Sequence, residues 1–175
     1  IVDGDKNVYT LKPITAIHAG TYVITTDADK NNPNYVITVT NGVYTITQRE
    51  ITVSVANKTS VYGDKLEALT SSLTKGTFAA GDSLESVVEL SKTEGENAGE
   101  YAITAKSIKD DYKVTFEYTA GNRSIYTIEK RAIILLIKDR EFEYTDAIAD
   151  MKLDISLKTG YTLKDGETLE VLNLT

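Results

Sequence analysis

The sequence predicts an all-β fold of tandem antiparallel β-sandwich repeats, on the basis of three observations. The 175 residues include 24 Thr and 11 Tyr, which favour half-buried strands, whereas strong helix formers are not enriched. Apolar and polar residues alternate with a period of two in several segments, as half-buried strands require. Short landmarks recur in the same order at a spacing of roughly 80 residues, which is the size of one small sandwich.

The repeat is carried by short segments that each contain a tyrosine. The matched pairs are residues 19–22 with 98–101, residues 44–46 and Arg49 with residues 126–128 and Arg131, and residues 62–64 with 144–146. We place the boundaries at the polar triplets 48–50 and 129–131, because each triplet lies between two strand-like runs. The chain then divides into the C-terminal part of one repeat (1–50), a complete repeat (51–131) and the N-terminal part of a third (132–175).

Residues 1–50 and 132–175 each lack about half of a sandwich, and together they hold about one repeat's worth of sequence. The two parts either fold as partial sheets on the central repeat or complement each other between neighbouring molecules by strand pairing. Because the chain opens without Met and ends abruptly, we expect it to be a piece of a longer protein.

The clearest alternation predicts a hairpin of residues 35–40 and 43–47 around Asn41-Gly42, the pair that a type I′ turn favours. In the next repeat, the corresponding hairpin joins residues 112–118 to residues 125–128.

Other strands are expected at the start of each repeat and at the Ala-Gly-x-Tyr landmarks. Residues 51–55 alternate so that Ile51, Val53 and Val55 share one face. Residues 132–137 are apolar on both faces, so we expect that strand to be covered on both sides. Further strands are predicted over residues 22–25 and 101–104, and residues 65–73 and 147–153 are either short helices or loops.

The central part carries a series of motifs in a fixed order. They are an opening strand, Tyr62-Gly63-Asp64, a Gly81-Asp82-x-Leu84 turn, Gly99-x-Tyr101-x-Ile103, and closing segments around Tyr112 and Tyr126. Together they resemble the MBG family, an Ig-like repeat found mainly in bacterial surface proteins. The resemblance covers the chain once in full and twice in part. In the third copy, Thr145 replaces the Gly of Tyr-Gly-Asp, and the sequence stops before the closing strands. It implies a non-catalytic, Ig-like module that is strung in tandem as a stalk or adhesive region.

Composition excludes several classes of site and partner. Without Cys there is no disulfide, thiol nucleophile or iron–sulfur cluster, and a lone His cannot supply a metal centre that needs two imidazoles. A net charge of −7 and a pI near 4.8 argue against a nucleic-acid partner. The longest apolar run, residues 132–137, is far shorter than the ~20 residues that a bilayer requires, so we expect no membrane insertion in this segment.

Each motif that could carry chemistry has a simpler structural interpretation. In Tyr62-Gly63-Asp64, Gly permits a positive φ, Asp caps the turn and Tyr packs at the edge of the sandwich. Residues 27–31 begin like a calcium loop, but they lack the turn Gly and the bidentate Glu that complete one. His18 has no nucleophile in its sequence context, and the acids at 94, 96, 141, 143 and 146 are typical of a solvated edge rather than a glycosidase pair. We therefore predict no catalytic, cofactor-binding or metal-binding residue.

Tyrosines and lysines leave two further possibilities. Tyr22, Tyr35, Tyr44 and Tyr62 recur at matched positions, which favours a role in packing, whereas Tyr9, Tyr118 and Tyr161 are less constrained and could stack on a sugar. A Lys–Asn isopeptide crosslink would stabilise a chain without Cys, but no spacing identifies a pair.

The sequence favours a non-enzymatic, extracellular stalk or spacer segment of a bacterial cell-surface or secreted protein, with neighbouring repeats as its partners. The alternative is a module that binds host glycan or protein through loops or an exposed sheet edge. A weaker alternative is an accessory domain of a secreted carbohydrate-active enzyme.

Overall fold

The fold is taken from a computed structural model that describes residues 9–12, 15–28, 32–139, 141, 143 and 154–169. The chain divides into two compact units. The first comprises Ile1–Ser54, Ser72–Glu89 and Ala105–Glu117, and the second comprises Val55–Ser71, Leu90–Thr104 and Tyr118–Thr175. The predicted division into 1–50, 51–131 and 132–175 stays a prediction.

Strand is the predominant regular structure of the described residues and helix is almost absent there, which confirms the all-β prediction. The strands are β1 (Tyr9–Leu11), β2 (Gly20–Ile24), β3 (Thr26–Ala28), β4 (Gly42–Ile46), β5 (Arg49–Val55), β6 (Lys58–Val61), β7 (Ser71–Lys75), β8 (Val88–Lys92), β9 (Gly99–Ser107), β10 (Tyr112–Tyr118), β11 (Ser124–Glu129), β12 (Leu135–Ile137) and β13 (Ile155–Leu157). The only helix in the described part is α1 (Leu84–Val87), and no helix there is long and apolar enough to cross a membrane.

The strands form five sheets. Three of them are two-stranded: β1 with β3, β2 with β4, and β12 with β13. The larger sheets have the orders β10-β5-β7 and β6-β11-β9-β8, in which β6 runs parallel to β11 and β9 runs antiparallel to it. The predicted central repeat therefore contributes seven strands to two sheets.

Among the residues that the structure describes, the buried apolar side chains all lie in the predicted central repeat. On β5, the predicted alternation is confirmed, because Ile51, Val53 and Val55 are all buried while Thr52 and Ser54 are not. The same period of two places Tyr126 and Ile128 of β11 in the core. The remaining buried apolar side chains of the described residues are Val87, Val88, Ile103 and Tyr112.

The first predicted hairpin is wrong. Residues 35–40 form no strand, and β4 pairs instead with β2, which precedes it by about twenty residues. The side-chain oxygen of Asn32 accepts hydrogen bonds from the backbone N–H groups of Asn34 and Tyr35, at 2.9 and 3.1 Å. This local turn holds the start of the segment, and Val36 beyond it is fully exposed. The Asn-Gly signal describes a favourable turn but does not select the partner of the strand that follows.

The second hairpin is wrong in its pairing, although both of its strands are present. The first strand, β10, lies beside β5, whereas β11 lies between β6 and β9 in the other large sheet. The connection is closed by backbone hydrogen bonds between Ala120 and Arg123. A short, well-formed turn therefore leads the chain from one sheet to the other.

The expectation that residues 132–137 are covered on both faces is also wrong. Only Leu135–Ile137 is strand, paired with β13, and Ile134, Leu136 and Ile137 are 40%, 46% and 64% exposed. An apolar sequence allows a strand to be buried, but other elements must pack on both faces of its sheet. The pair of β12 and β13 leaves apolar side chains of this segment exposed.

Two elements answer questions that the sequence left open. Residues 65–70 are a loop that leads into β7, so the helix alternative for residues 65–73 fails, and residues 147–153 lie outside the described residues. Helix α1 was not predicted. Ser83 caps its N-terminus, because the Ser83 hydroxyl accepts from the Ser86 N–H and the Ser83 N–H donates to the Ser86 hydroxyl.

The matched landmarks occupy strand pairs with the same register. Tyr22 lies opposite Tyr44 in the β2–β4 pair, and Tyr101 lies opposite Tyr126 in the β9–β11 pair. The hydroxyl of Tyr22 donates to the carbonyl oxygen of His18 at 2.9 Å, and that of Tyr101 donates to the carbonyl oxygen four residues before it at 2.7 Å. These residues therefore have equivalent local structures 79 and 82 residues apart.

Candidate functional site

Arg131 forms the centre of a cluster that we call the second joint, because it links the Tyr62-Gly63-Asp64 motif to residues 162–167. Its Nε donates to the carbonyl oxygen of Tyr62 at 2.7 Å, and its Nη2 donates to the carboxylate of Asp64. Its Nη1 also reaches the hydroxyl of Thr162, at 3.5 Å. Since the Arg131 side chain is only 22% exposed, the guanidinium is held between these groups.

Tyr62 makes the second contact between the same two segments. Its hydroxyl donates to the Oε1 of Glu167 at 2.5 Å, and the Nζ of Lys164 lies 5.2 Å from the centre of its ring. The hydrogen bond to Glu167, followed by burial, raises the pKa of Tyr62 above its usual value. The hydroxyl therefore keeps its proton for this contact.

Gly63 is required by both conformation and space. Its φ is +84°, and a Cβ there would lie 3.0 Å from the Cβ of Lys164 and 3.3 Å from the Nη2 of Arg131. The turn is closed by the N–H of Asp64, which donates to the carbonyl oxygen of Val61 at 3.0 Å. The positive φ predicted for Gly63 is confirmed, whereas the Asp64 carboxylate binds Arg131 instead of capping the turn.

The first joint is an analogous cluster around Arg49 and Asp111 in the other unit. The carboxylate of Asp111 accepts from the N–H of Ala19 at 2.7 Å, and its second oxygen lies 2.8 Å from the Nδ1 of His18. The backbone N–H of Arg49 donates to the carbonyl oxygen of Asp111, and the Nε2 of Gln48 donates to the carbonyl oxygen of Asp110. The hydrogen bonds from His18 and Ala19 lower the pKa of the Asp111 carboxyl.

Asp82 organises the other side of the first joint. Its carboxylate accepts hydrogen bonds from Lys109 and, at 2.6 Å, from the hydroxyl of Tyr112, and these two bonds lower its pKa. The Tyr112 hydroxyl also accepts from the N–H of Ala79 at 2.8 Å. Burial, followed by the hydrogen bond to Asp82, raises the pKa of Tyr112.

A cavity of about 360 Å³ lies between these two sides of the first joint. Its walls mix apolar groups, such as Ile17, Ile46 and Ala79, with the charged groups of Arg49 and Asp82. A smaller cavity of about 250 Å³ lies at the second joint, beside residues 61, 63–66, 96, 128 and 164.

The two joints share a construction. The Nη1 of Arg49 donates to Thr77 at 3.0 Å, as Arg131 donates to Thr162. In the first joint, the N–H of Asp82 closes a turn on the carbonyl of Ala79. In the second joint, the N–H of Glu167 donates to the carbonyl oxygen of Lys164, and both of these hydrogen bonds are 3.0 Å long. The third residue of each turn is a glycine with positive φ.

The remaining candidate residues are dispersed. Asp27 pairs with Lys12 at 2.8 Å, while residues 29–31 of the suspected calcium loop lie outside the described residues. Glu96 pairs with Lys164 at 3.3 Å; Glu94, Glu141 and Glu143 are exposed, and residues 144–146 are not described. In the described part, no group of three or more acidic, His or Cys side chains is placed to hold a metal ion.

Among the tyrosines, only Tyr9 of the three less constrained ones is well exposed, at 53%, whereas Tyr118 and Tyr161 are half-buried. Sequence reasoning missed the contacts of Arg131, Lys164 and Glu167 with the Tyr-Gly-Asp turn. The recurrence of Arg49 and Arg131 beside a boundary was the available signal, because an arginine at a boundary can bind the carboxylates of a neighbouring segment.

Residues 51–122 match the family model of the MBG domain (YGX type), which confirms the resemblance over those residues. The matched segment lies inside the predicted central repeat and includes Tyr62-Gly63-Asp64. No curated protein and no solved structure matches the chain. The MBG domain is a non-catalytic repeat family and is typical of bacterial surface proteins.

Proposed function

We propose, from the MBG domain of the YGX type over residues 51–122, that this chain is a non-enzymatic spacer in an extracellular, surface-attached or secreted bacterial protein. In this role, tandem Ig-like sandwiches of about 80 residues follow each other with very short linkers and hold another domain away from the cell. The observation that carries the proposal is the second joint, in which the family's Tyr-Gly-Asp motif is used for a contact between segments.

The contacts of the second joint suit a spacer because they resist bending in two places. Arg131 fixes the backbone and carboxylate of the Tyr-Gly-Asp turn, and Tyr62 independently reaches Glu167. Charge-assisted hydrogen bonds of this kind are directional, so a change of angle between the segments would break them. The motif would thus be a structural device for joining repeats.

Relaxation of backbone ¹⁵N nuclei tests the joint. We expect residues 154–169 to tumble with the central repeat in the wild-type chain and to gain independent motion in a Tyr62→Phe, Asp64→Asn double variant. An Asp139→Asn variant, which changes an exposed acid outside the joint, is the control. Independent tumbling of residues 154–169 in the wild-type chain would overturn the proposed joint.

A glycan and matrix-protein array, probed in calcium and in EDTA, separates the spacer from the ligand-binding alternative. We expect no specific binding from the folded chain in either buffer. A specific signal that is lost when Tyr9 is replaced by Ala would favour a module that recognises host glycan or protein, since the ring of Tyr9 is exposed.

A further inference from the structure

Strands β6 and β11 run parallel to each other, although one lies early and the other late in the predicted central repeat. Their register places Lys58 opposite Tyr126 and Val61 opposite Glu129. Strand β6 lies at the edge of its four-stranded sheet, so β11 is its only neighbour among the described strands of that sheet. A pull on β6 along its axis is therefore resisted, within this sheet, by the hydrogen bonds to β11.

The direction of the two strands determines how tension along the chain acts on this pair. The chain enters the pair at the N-terminal end of β6 and leaves it at the C-terminal end of β11. Because the strands are parallel, these two points lie at opposite ends of the pair. Tension between residues 56 and 130 therefore pulls the strands past each other and loads all of their hydrogen bonds together. In an antiparallel pair, the same two points would lie at one end, and the bonds would break in succession.

Side-chain contacts extend the pairing beyond the N-terminal end of β6. The buried hydroxyl of Ser124 donates to the carbonyl oxygen of Val55 at 2.6 Å. The Oδ1 of Asn57 accepts from the N–H of Ile125 at 2.8 Å and from the hydroxyl of Thr119. These contacts join the segment that leads into β6 to the start of β11.

Further contacts join the two strands in the middle and at their C-terminal ends. The buried hydroxyls of Ser60 and Tyr126 lie 2.5 Å apart. The N–H of Tyr62 donates to the carbonyl oxygen of Glu129 at 2.8 Å, and the Nε of Arg131 donates to the carbonyl oxygen of Tyr62 at 2.7 Å. Hydrogen bonds therefore connect the two strands over their whole length.

We propose that β6, β11 and these contacts form a mechanical clamp, which is the main resistance of the second compact unit to unfolding when the chain is under tension. Forced unfolding is governed by the unfolding rate rather than by equilibrium stability, so a clamp acts by raising the barrier that the force must overcome. The inference rests on the proposed function, because a spacer that holds another domain away from the cell transmits tension through its repeats. It adds that the resistance depends on the direction of the force.

Single-molecule force spectroscopy in two directions is the direct test. Because the chain has no Cys, introduced cysteines can carry the handles, and Ala56, Lys65 and Lys130 are all exposed. Handles on an Ala56→Cys, Lys130→Cys chain shear the clamp, whereas handles on a Lys65→Cys, Lys130→Cys chain peel it open from one end. We expect the shearing direction to need a force at least about twofold higher, because four registered residue pairs share the load.

The two chains form a matched comparison, because the same hydrogen bonds break in both. Chemical denaturation without force confirms that both are folded and have the same free energy of unfolding. Equal unfolding forces in the two directions would overturn the proposed clamp. That result would leave the spacer proposal standing, since its own test follows residues 154–169.

A substitution within the clamp gives a second readout in the shearing direction. Asn57→Ala removes the acceptor of the Ile125 N–H, so we expect the unfolding rate at constant force to rise about 3- to 10-fold. Ser91→Ala is the control, because the hydroxyls of Ser91 and Thr104 lie 3.0 Å apart between β8 and β9, outside the clamp. An unchanged rate in Asn57→Ala, or an equally large rise in Ser91→Ala, would contradict the proposal.

Discussion

Single residues set the conformation of this chain where the backbone approaches another segment closely. Gly76 has a φ of +85°, and a Cβ there would lie 2.6 Å from the carbonyl oxygen of Glu50 and 2.9 Å from the Cγ2 of Ile51. Gly81 has almost the same φ, +88°, but a Cβ there would meet no atom within 4 Å. A comparison of the two glycines therefore distinguishes the stability lost through backbone strain from the stability lost through a steric clash.

Replacement of each glycine by alanine should give different losses of stability. We expect Gly81→Ala to lower the free energy of unfolding by about 1–2 kcal/mol, because an L-residue is strained at positive φ. Gly76→Ala should lose about 1–3 kcal/mol more, since the added carbon would overlap backbone atoms. Chemical denaturation of both variants measures the difference, and equal losses would contradict the predicted clash.

Tyr126 shows how a repeated residue type acquires different roles from different surroundings. Its buried hydroxyl lies 2.5 Å from the hydroxyl of Ser60 and accepts the N–H of Glu67 at 2.6 Å. The aligned Tyr44 is 42% exposed, so its hydroxyl lies in a different environment from that of Tyr126.

Removal of one hydroxyl from each tyrosine tests this difference. Tyr126→Phe removes the shorter hydrogen bond of both the Ser60 hydroxyl and the Glu67 N–H and leaves them only the 3.2 Å bond between each other, so we expect the free energy of unfolding to fall by about 1–1.5 kcal/mol. Tyr44→Phe should change it by no more than about 0.5 kcal/mol, as is usual for an exposed site. The prediction fails if the two variants have the same denaturation midpoint.

At the scale of elements, burial separates residues 51–131, the predicted central repeat, from the described residues that flank them. Strand β9 places Ile103 in the core, whereas β2 leaves the aligned Ile24 partly exposed, although both strands have the same pairing register. The two aligned segments thus form the same local strand pairing, but other residues bury only the Ile103 side chain completely.

Truncation of these two isoleucines should reveal the difference in packing. Ile103→Ala should lower the free energy of unfolding by about 2–5 kcal/mol, the range for a fully buried large-to-small change. Ile24→Ala should cost clearly less, because much of its side chain already contacts water. Chemical denaturation of both variants measures the two losses, and equal losses would contradict the predicted difference in packing.

At the scale of the whole molecule, acid should weaken the chain through the carboxylates of the first joint. The folded-state pKa values of Asp82 and Asp111 are lowered by their hydrogen bonds to Lys109 and His18 respectively. The folded chain therefore binds these protons less tightly than the unfolded chain does. The resulting stability is present above the ordinary pKa of Asp, and it is lost as the pH falls through the lowered values.

The dependence of stability on pH checks this assignment. We expect the free energy of unfolding of the wild-type chain to fall steadily below the ordinary Asp range, and Asp82→Asn to make that fall shallower. Asp139→Asn, which alters an exposed acid, should leave the slope unchanged. An Asp82→Asn chain with the wild-type slope would show that acid sensitivity arises elsewhere.

The sequence by itself determined the class of fold and much of the local structure. Alternation on residues 51–55 predicted the buried face of β5, and the recurring Ala-Gly-x-Tyr landmarks located β2 and β9, because these features depend on residues close together in the chain. The positive φ of Gly63 was likewise predictable from turn chemistry.

The tertiary structure decided the partners of the strands and the contacts of the joints. The Asn41-Gly42 signal could not reveal that β4 pairs with β2, and an apolar stretch at 132–137 could not reveal whether anything covers it. Arg131, Lys164 and Glu167 meet the Tyr-Gly-Asp turn from about 70 to 105 residues away, and no local preference encodes such a distance. Burial and ion pairing depend on which segments meet, and that is a property of the folded chain as a whole.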